Sequence, residues 1–269
     1  NREGILRLDM NENPGGLPIE VVESVKRKLT SEFFSTYPDK TPLINSLAKF
    51  HGVSTDNIAI TDGSEMALKY IFEVFGKPGS NFVSVFPTFE MYGVYANMYG
   101  LNHKKIDVTK DFDIDVDQLL ACIDENTSIV SLLNPNNPVG SPYTDEEFRL
   151  VAEKTKSMGS LLIIDEAYHY FYEGTQMSLL KEYDHIIVTR TFSKLFSIAA
   201  CRIGYAVSSA KIIKMINNAR PTFDTNAIAL LFANELINNK ELTQKLIATE
   251  LEGREYLTAE LDKAGYEYV

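Results

Sequence analysis

The sequence places reactive side chains at the ends of successive short apolar segments. Asp165 closes the segment LLIID, Lys194 follows the segment HIIVTRT, and Arg202 comes eight residues after Lys194. A lysine at a buried strand end can form a Schiff base with a carbonyl group, provided that its pKa is low enough to leave the amine neutral. An acid at the end of a neighbouring strand could keep a pyridine nitrogen protonated, which turns the ring into an electron sink. These residue types therefore suit imine chemistry on an electron-poor ring.

A second set of residues suits a phosphate group. A Gly-Ser-Glu sequence follows the segment NIAIT and opens a predicted helix, and the first N–H groups and the dipole of a helix attract anions. An arginine and two hydroxyl groups could add charge-assisted hydrogen bonds to the same phosphate. The candidates for this group are Gly63, Ser64, Glu65, Thr191, Ser193 and Arg202.

Two further polar side chains suit a phenolate oxygen on the same ring. Tyr168 lies three residues after Asp165, in the segment DEAY, and Asn137 lies in the turn NPNNPVG after another apolar segment. An aromatic ring is also needed to stack on a pyridine. Each part of a binding site for pyridoxal phosphate thus has a candidate. Taken singly, Tyr168 and Asn137 could be ordinary turn residues and Lys194 a solvated surface lysine.

The elements that must position these residues follow an alternating pattern. Short apolar segments predict strands at 57–61, 81–86, 128–134, 161–165, 185–191 and 203–208. Between them, helical periodicity predicts helices at 65–75, 88–98, 116–123 and 144–156, the last with a capping box from Thr144 to Glu147. Alternating strands and helices predict a mostly parallel α/β sheet, whose ligands bind at the carboxyl ends of the strands.

The two ends of the chain read differently. A turn-rich start is followed by a predicted helix at 19–29, and residues 225–264 show an almost continuous helical pattern. A helix of about 40 residues would span about 60 Å. We therefore expect a break near Asn238 and Asn239.

Composition excludes several classes of protein. The 269 residues include 37 acidic and 26 basic side chains, a formal charge of −11, which argues against a general nucleic-acid-binding protein. Cys122 and Cys201 are too few for a disulfide framework and favour the cytoplasm. No apolar run approaches 18 residues, so we predict neither a membrane span nor a signal peptide. The spacing of the four histidines argues against a metal site.

Over nearly its whole length the sequence resembles the fold-type I pyridoxal-phosphate enzymes. Among them it is most similar to class I/II aminotransferases of the histidinol-phosphate aminotransferase type. The similar segments are, in order, LDMNENPGG, STYPDKTPL, TDGSEMAL, FPTFEMY, LLNPNNPVG, IIDEAYHYF and RTFSKLFSIAACRIGY. The resemblance implies the PLP-dependent transferase fold type I, with a mostly parallel central sheet flanked by helices and a small domain largely missing at the C-terminus.

The resemblance also implies a role for each candidate. Lys194 would form the Schiff base, Asp165 would pair with the ring nitrogen, Asn137 and Tyr168 would bond the phenolate oxygen, and Tyr92 would stack on the ring. The six phosphate candidates would form a phosphate-binding cup. Tyr37 would reach the cofactor of a partner subunit, which makes the active unit a homodimer. The expected catalytic residues are Lys194, Asp165 and Tyr168.

The same resemblance divides the chain and limits what can be said of the substrate. It implies an N-terminal segment at 1–29 that belongs to the small domain and the dimer contact. A large cofactor-binding domain would follow at 30–224. The remainder, 225–269, would be an interdomain helix and the start of a truncated small domain. Where the histidinol-phosphate enzymes commonly carry a substrate-binding tyrosine after the NENP turn, this sequence has Gly15.

The function that follows is amino transfer between a small amino acid or amino alcohol, with or without a phosphate, and a 2-oxo acid. Two alternatives stay open at this point. One is a pyridoxal-phosphate-dependent decarboxylase of the threonine-phosphate type, which shares the same cofactor site. The other is a non-catalytic aminotransferase-like module of a fused protein.

Overall fold

The computed structural model describes residues 4–5 and 8–268 of the chain. Parts of the predicted terminal segments, residues 1–3, 6, 7 and 269, lie outside the described residues. The strands are β1 Ile58–Thr61, β2 Asn81–Phe86, β3 Asn102–Asp107, β4 Thr127–Leu133, β5 Leu161–Asp165, β6 Ile186–Thr191 and β7 Gly204–Ser208. Six of the seven were predicted, and the ends of each lie within one residue of the prediction.

These strands form a single mixed sheet in the order β1-β7-β6-β5-β4-β2-β3. The pairs β2–β3, β2–β4, β4–β5 and β5–β6 are parallel, and β7 is antiparallel to both β1 and β6. The prediction of a mostly parallel sheet is therefore confirmed. Because β5 and β6 are parallel neighbours, Asp165 and Thr191, which end them, lie at the same edge of the sheet.

Strand β3 was not predicted, because it lies at the edge of the sheet beyond β2. Its sequence, NHKKID, has only Ile106 buried. A strand with one neighbour and little buried surface needs few apolar residues, so it leaves a weak pattern in the sequence.

The helices are α1 Ile19–Lys26, α2 Ser31–Ser35, α3 Thr41–His51, α4 Gly63–Phe75, α5 Met91–Met98, α6 Val116–Cys122, α7 Asp145–Met158, α8 Ala210–Ala219, α9 Ala227–Ile237 and α10 Lys240–Ala264. Helices α4, α5 and α8 pack on one face of the sheet. On the other face, α6 and α7 cover the middle strands, and α1, α3 and α9 cover β1 and β7. Adjacent residues of β5, such as Ile163 and Ile164, enter opposite cores, as a strand covered on both faces requires.

Two local predictions about helix ends are confirmed. The Thr144 hydroxyl accepts a hydrogen bond from the Glu147 amide, and the Glu147 carboxylate accepts one from the Thr144 amide. The predicted 40-residue helix is broken between α9 and α10, where the side chain of Asn239 caps α10 by accepting from the Leu242 amide. In the part of the chain that the structure describes, no helix combines the length and the apolar character needed to cross a bilayer.

Candidate active site

A cavity of about 440 Å³ opens at the carboxyl edge of the sheet, where β5 and β6 end and α4 begins. Eight of the twelve residues predicted for the site line this cavity. They are Ser64, Glu65, Asp165, Tyr168, Thr191, Ser193, Lys194 and Arg202. The fold thus brings together side chains that are up to 138 positions apart in the sequence, counted from Ser64 to Arg202.

Asp165 is a fully enclosed carboxylate at the end of β5, with 2% of its surface exposed. Its Oδ2 accepts a hydrogen bond of 2.9 Å from the Tyr92 hydroxyl, and its Oδ1 accepts one of 3.1 Å from the Ala167 amide. Burial raises the pKa of Asp165, and the hydrogen bonds act in the opposite direction. The two donors stabilise a negative charge that burial alone would disfavour, so the site can hold an anion next to a cationic ring nitrogen.

Lys194 follows β6 and directs its amine into the same cavity. Its Nζ donates to the carbonyl oxygen of Met10 at 2.9 Å and lies 5.4 Å from the centre of the Tyr168 ring. Burial lowers the pKa of Lys194, while the negative charge of Glu12 acts against this shift. A lysine with a lowered pKa is neutral more often and is therefore a better nucleophile and base.

The start of α4 and Arg202 form a close-packed cradle. Gly63 has a φ of +78°, and a Cβ at this position would lie 2.7 Å from the Arg202 guanidinium. Gly204 in β7 packs so tightly on this turn that a Cβ there would lie 2.7 Å from the Gly63 carbonyl carbon. Only glycine fits either position, so the backbone of the turn is held near an arginine and the amides at the start of a helix, a combination that binds anions.

The arginine of this cradle, Arg202, forms an ion pair with Glu65. The Arg202 guanidinium lies 3.4 Å from the carboxylate of Glu65, and Arg202 itself has a left-handed φ of 49°. Non-glycine residues in this region of φ are uncommon and concentrate at functional sites.

Asn11 joins the two residues predicted to bond a phenolate oxygen. Its Nδ2 donates to the Tyr168 hydroxyl at 3.1 Å and to Asn137 Oδ1 at 3.3 Å. Burial raises the pKa of Tyr168, which keeps its hydroxyl protonated. Asn137 therefore lies near the cavity, although it is not part of its lining.

The stacking role predicted for Tyr92 is wrong. Its side chain is fully buried, so neither face of the ring is open to the cavity, and its hydroxyl is used by Asp165. Phe89 lines the cavity instead, with its ring perpendicular to that of Tyr92 at 5.7 Å. Helix α5 begins at Met91 rather than at Thr88, so Phe89 lies in the preceding turn and Tyr92 in the first turn of the helix.

Tyr37 lies outside this cavity and on the surface. It is 77% exposed and stacks on Phe223 with ring centres 4.2 Å apart. Its role in a partner subunit stays a prediction.

A second cavity of about 320 Å³ shares Lys194 and Tyr168 with the first. It is lined by the segment 11–14 and by Glu250 of α10. Asn13 fastens this segment, because its Nδ2 donates to the Leu195 carbonyl at 3.2 Å and to the Glu250 carboxylate at 3.1 Å. The amine of Lys194 thus lies between two cavities, which suits a residue that acts on both a cofactor and a substrate.

A family model described as aminotransferase class I and II matches residues 3–269. The chain belongs to this family. Among its relatives, the histidinol-phosphate aminotransferase of Thermococcus gammatolerans is 32% identical over 263 residues, which is 97% of this chain and 75% of that protein. The histidinol-phosphate aminotransferase of Flavobacterium johnsoniae is 33% identical over 256 residues, which is 93% of this chain and 68% of the relative.

Solved structures share the fold of this aminotransferase. The histidinol-phosphate aminotransferase of Sinorhizobium meliloti, in complex with pyridoxal-5′-phosphate, superposes with a TM-score of 0.87 at 23% identity, over 95% of this chain and 70% of that one. An aspartate aminotransferase from Thermus thermophilus with maleate gives a TM-score of 0.85 at 23% identity, over 96% of this chain and 72% of that one. The predicted fold type I is confirmed.

The protein is therefore a pyridoxal-phosphate-dependent aminotransferase. The cavity fits that cofactor on its own evidence. It contains a buried carboxylate with two donors and a lysine of lowered pKa. It also has a glycine turn packed against an arginine where a phosphate can bind.

Sequence reasoning did not identify three residues of the site. Phe89 was present in the segment FPTFEMY, but that segment holds three aromatic rings and the sequence does not show which one faces the ligand. Gly204 was present in the segment CRIGY, where a strand glycine indicates a close backbone approach. The bridge from Asn11 depends on a contact across 157 residues, which no local pattern reveals.

Proposed function

We propose that this aminotransferase transfers the amino group of a small primary amine, an amino acid or amino alcohol of the histidinol-phosphate kind, to a 2-oxo acid. The observation that carries the proposal is the shared cavity of Lys194, Asp165 and Arg202 at the carboxyl edge of the sheet. The names of the 30–33% identical relatives support the substrate class.

The residue roles follow from the chemistry of each group. When bound, pyridoxal phosphate supplies a conjugated, electron-accepting ring that stabilises negative charge at the substrate carbon. Asp165 would hold the proton on the ring nitrogen, and Tyr168 with Asn137 would bond the phenolate oxygen. Phe89 would pack against the ring. The N–H groups at the start of α4 and the side chains of Ser64, Thr191, Ser193 and Arg202 would hold the phosphate.

Lys194 has two tasks in this proposal. Its amine would hold the cofactor covalently. In its neutral form, Nζ could also take the proton from the substrate carbon and later give a proton back, as general base and then general acid. Burial serves this step, because it lowers the pKa of Lys194.

The second cavity supplies the place for the rest of the substrate. It adjoins Lys194 and presents Asn13 and Glu250. The chain after Pro14 continues with Gly15, which has no side chain to reach a substrate, so we infer that contacts to the substrate come from this lining and not from position 15.

The proposal also includes the oligomeric state of the protein and its location in the cell. We infer that the active unit is a homodimer, because Tyr37 lies outside the cavity of its own chain and is exposed for contact with another. We place the reaction in the cytoplasm, because Cys122 and Cys201 are both free thiols.

Replacement of the lysine tests the proposal directly. We expect Lys194→Ala to fold and to bind pyridoxal phosphate without the absorbance of the covalent adduct, and to lose activity by at least about 10³-fold. The exposed Lys211→Ala on α8 is the matched control and should behave as the wild type. The assay follows the conversion of histidinol phosphate and a panel of other amines with a 2-oxo acid. Wild-type turnover by Lys194→Ala would refute the assignment, and release of carbon dioxide in place of an oxo product would indicate a decarboxylase.

A further inference from the structure

The hydroxyl of Tyr92 has no surface to bind a ligand and contacts a single acidic group. It lies in the first turn of α5, is fully buried, and donates to Oδ2 of Asp165 at 2.9 Å. The other carboxylate oxygen, Oδ1, accepts from the Ala167 amide at 3.1 Å. The hydrogen bond from Tyr92 connects helix α5 to strand β5. Its acceptor is Asp165, the residue predicted to pair with the ring nitrogen of the cofactor.

We propose that Tyr92 is a positioning residue for the reaction, whose hydroxyl fixes the orientation of the Asp165 carboxylate and keeps it ionised against the ring nitrogen. This inference rests on the proposed role of Asp165. Tyr92 touches neither substrate nor cofactor and acts through Asp165 alone.

The environment of both groups supports this role. Burial raises the pKa of Asp165, so it favours the protonated form of a carboxylate that lacks hydrogen-bond donors. Burial also raises the pKa of Tyr92 well above its usual value, so its hydroxyl stays a donor at every working pH. The Tyr92 hydroxyl is a buried donor that stays protonated, and it donates to the buried carboxylate of Asp165. This hydrogen bond stabilises the charged form of Asp165.

Packing of the Tyr92 ring alone does not explain why this residue carries a hydroxyl. The ring packs edge-on against Phe82 at 6.0 Å and Phe89 at 5.7 Å, and a phenylalanine would make the same contacts. Packing therefore accounts for the ring but not for the hydroxyl. The hydroxyl is accounted for by the acid that it contacts.

Other titratable groups also influence this pair. Glu166, the next residue in the chain, raises the pKa of Asp165. The charge of Asp165 in turn raises the pKa of Tyr168. Lys194 lines the same cavity from the segment after β6, and Tyr143 raises the pKa of Tyr92. None of these is changed by a substitution at Tyr92, so the shift in that variant reports on the removed hydrogen bond.

The test is Tyr92→Phe in the holoenzyme, which deletes the hydroxyl and keeps the ring. Without this donor the pKa of Asp165 rises further, and the proton shared with the cofactor moves from the ring nitrogen towards the carboxylate. We expect the ¹⁵N NMR signal of ring-labelled pyridoxal phosphate to shift towards the unprotonated position. We also expect the acid limb of the kcat profile to move up by about one pH unit, while KM for the amine changes less than twofold.

Tyr99→Phe is the matched control. Tyr99 follows the same helix, and its hydroxyl bonds Glu73 at 3.2 Å, away from the cavity. This variant should leave the ¹⁵N signal and the pH profile unchanged. Circular dichroism confirms that each variant is folded.

The outcomes separate the inference from the proposal beneath it. If Asp165→Asn abolishes the protonated ¹⁵N signal and Tyr92→Phe leaves both the signal and the acid limb as in the wild type, the positioning role is overturned and the role of Asp165 stands. If Asp165→Asn has no effect on the signal, the proposed role of Asp165 itself fails. Should Tyr92→Phe not fold, 3-fluorotyrosine at position 92 decides, because its more acidic hydroxyl is a stronger donor. The acid limb should then move to lower pH, and an unmoved limb would overturn the inference.

Discussion

At the scale of single residues, burial acts in opposite directions on the acid and the base of the site. It raises the pKa of Asp165 and lowers that of Lys194, because both charged forms lose hydration. The hydroxyl of Tyr92 and the amide of Ala167 donate to the acid, whereas the amine donates to the carbonyl of Met10 and is also influenced by the negative charge of Glu12. Hydrogen bonds therefore support the negative charge of Asp165 against the effect of burial, beside a lysine that gives up its proton more readily than usual.

Glu12 provides a test of this balance at one residue. Its negative charge raises the pKa of Lys194, so Glu12→Gln should lower that pKa further. The neutral amine would then be present at lower pH, and the pH midpoint for capture of pyridoxal phosphate by the apoprotein should fall by less than about one pH unit. Absorbance of the covalent adduct, followed after mixing at a series of pH values, measures this midpoint. Exposed Glu255→Gln is the control, and a midpoint that rises in Glu12→Gln would contradict the electrostatic explanation.

At the scale of elements, sequence pattern predicted the buried strands and most of the helices, and missed helices α3 and α8 and the edge strand β3. The buried strands were found because they are apolar on consecutive residues. Helices α3 and α8 were not predicted, although Leu43 and Leu47 of α3, and Ile212 and Ile216 of α8, are buried at helical spacing, so the signal was present in the sequence. The edge strand β3 carries little such signal.

The site shows the same division. The residues that end a strand or open a helix, such as Asp165 and Ser64, could be predicted because the fold class places those ends together. Tyr92 and Phe89 could not be distinguished, because the direction of each ring depends on where α5 begins. Asn11 could not be found, because its partners lie on distant turns.

The segment 10–14 gives a prediction at the scale of elements. Asn13 ties this segment to Leu195 and to Glu250 of α10, beside the second cavity. Asn13→Ala removes these two hydrogen bonds and a third, which the Gly15 amide donates to Asn13 Oδ1 at 3.0 Å. We therefore expect the KM for the amine to rise several-fold with a smaller change in kcat, and the free energy of unfolding to fall by about 1 kcal/mol. Steady-state kinetics and denaturant unfolding measure the two effects.

Thr144→Ala is the control for stability. It removes the capping box of α7, far along the chain from segment 10–14, and should also cost about 1 kcal/mol. KM should be unchanged in this variant. An equal rise of KM in both variants would show that segment 10–14 acts only through stability.

At the scale of the whole molecule, the cofactor site lies at one edge of a buried sheet, and exposed aromatic side chains lie elsewhere on the surface. The interior strands of the sheet are covered on both faces and position the site at one edge, whereas the aromatic side chains of Phe34, Tyr37 and Phe223 are exposed at the surface. Tyr37 and Phe223 stack on each other, with ring centres 4.2 Å apart. Such a pair suits contact with a second copy of the chain.

Mixing two inactive variants tests whether a second copy completes the site. Tyr37→Ala and Lys194→Ala should each have low activity alone. In a mixed dimer, the site that keeps Lys194 receives Tyr37 from the other chain and is intact, whereas the second site lacks both side chains. After unfolding and refolding of an equal mixture, half of the dimers are mixed with one intact site each, so activity should recover to about a quarter of the wild-type value. Recovery that does not exceed the activity of Tyr37→Ala alone would contradict a role of Tyr37 in the partner's site, because only a side chain acting across the interface can be complemented.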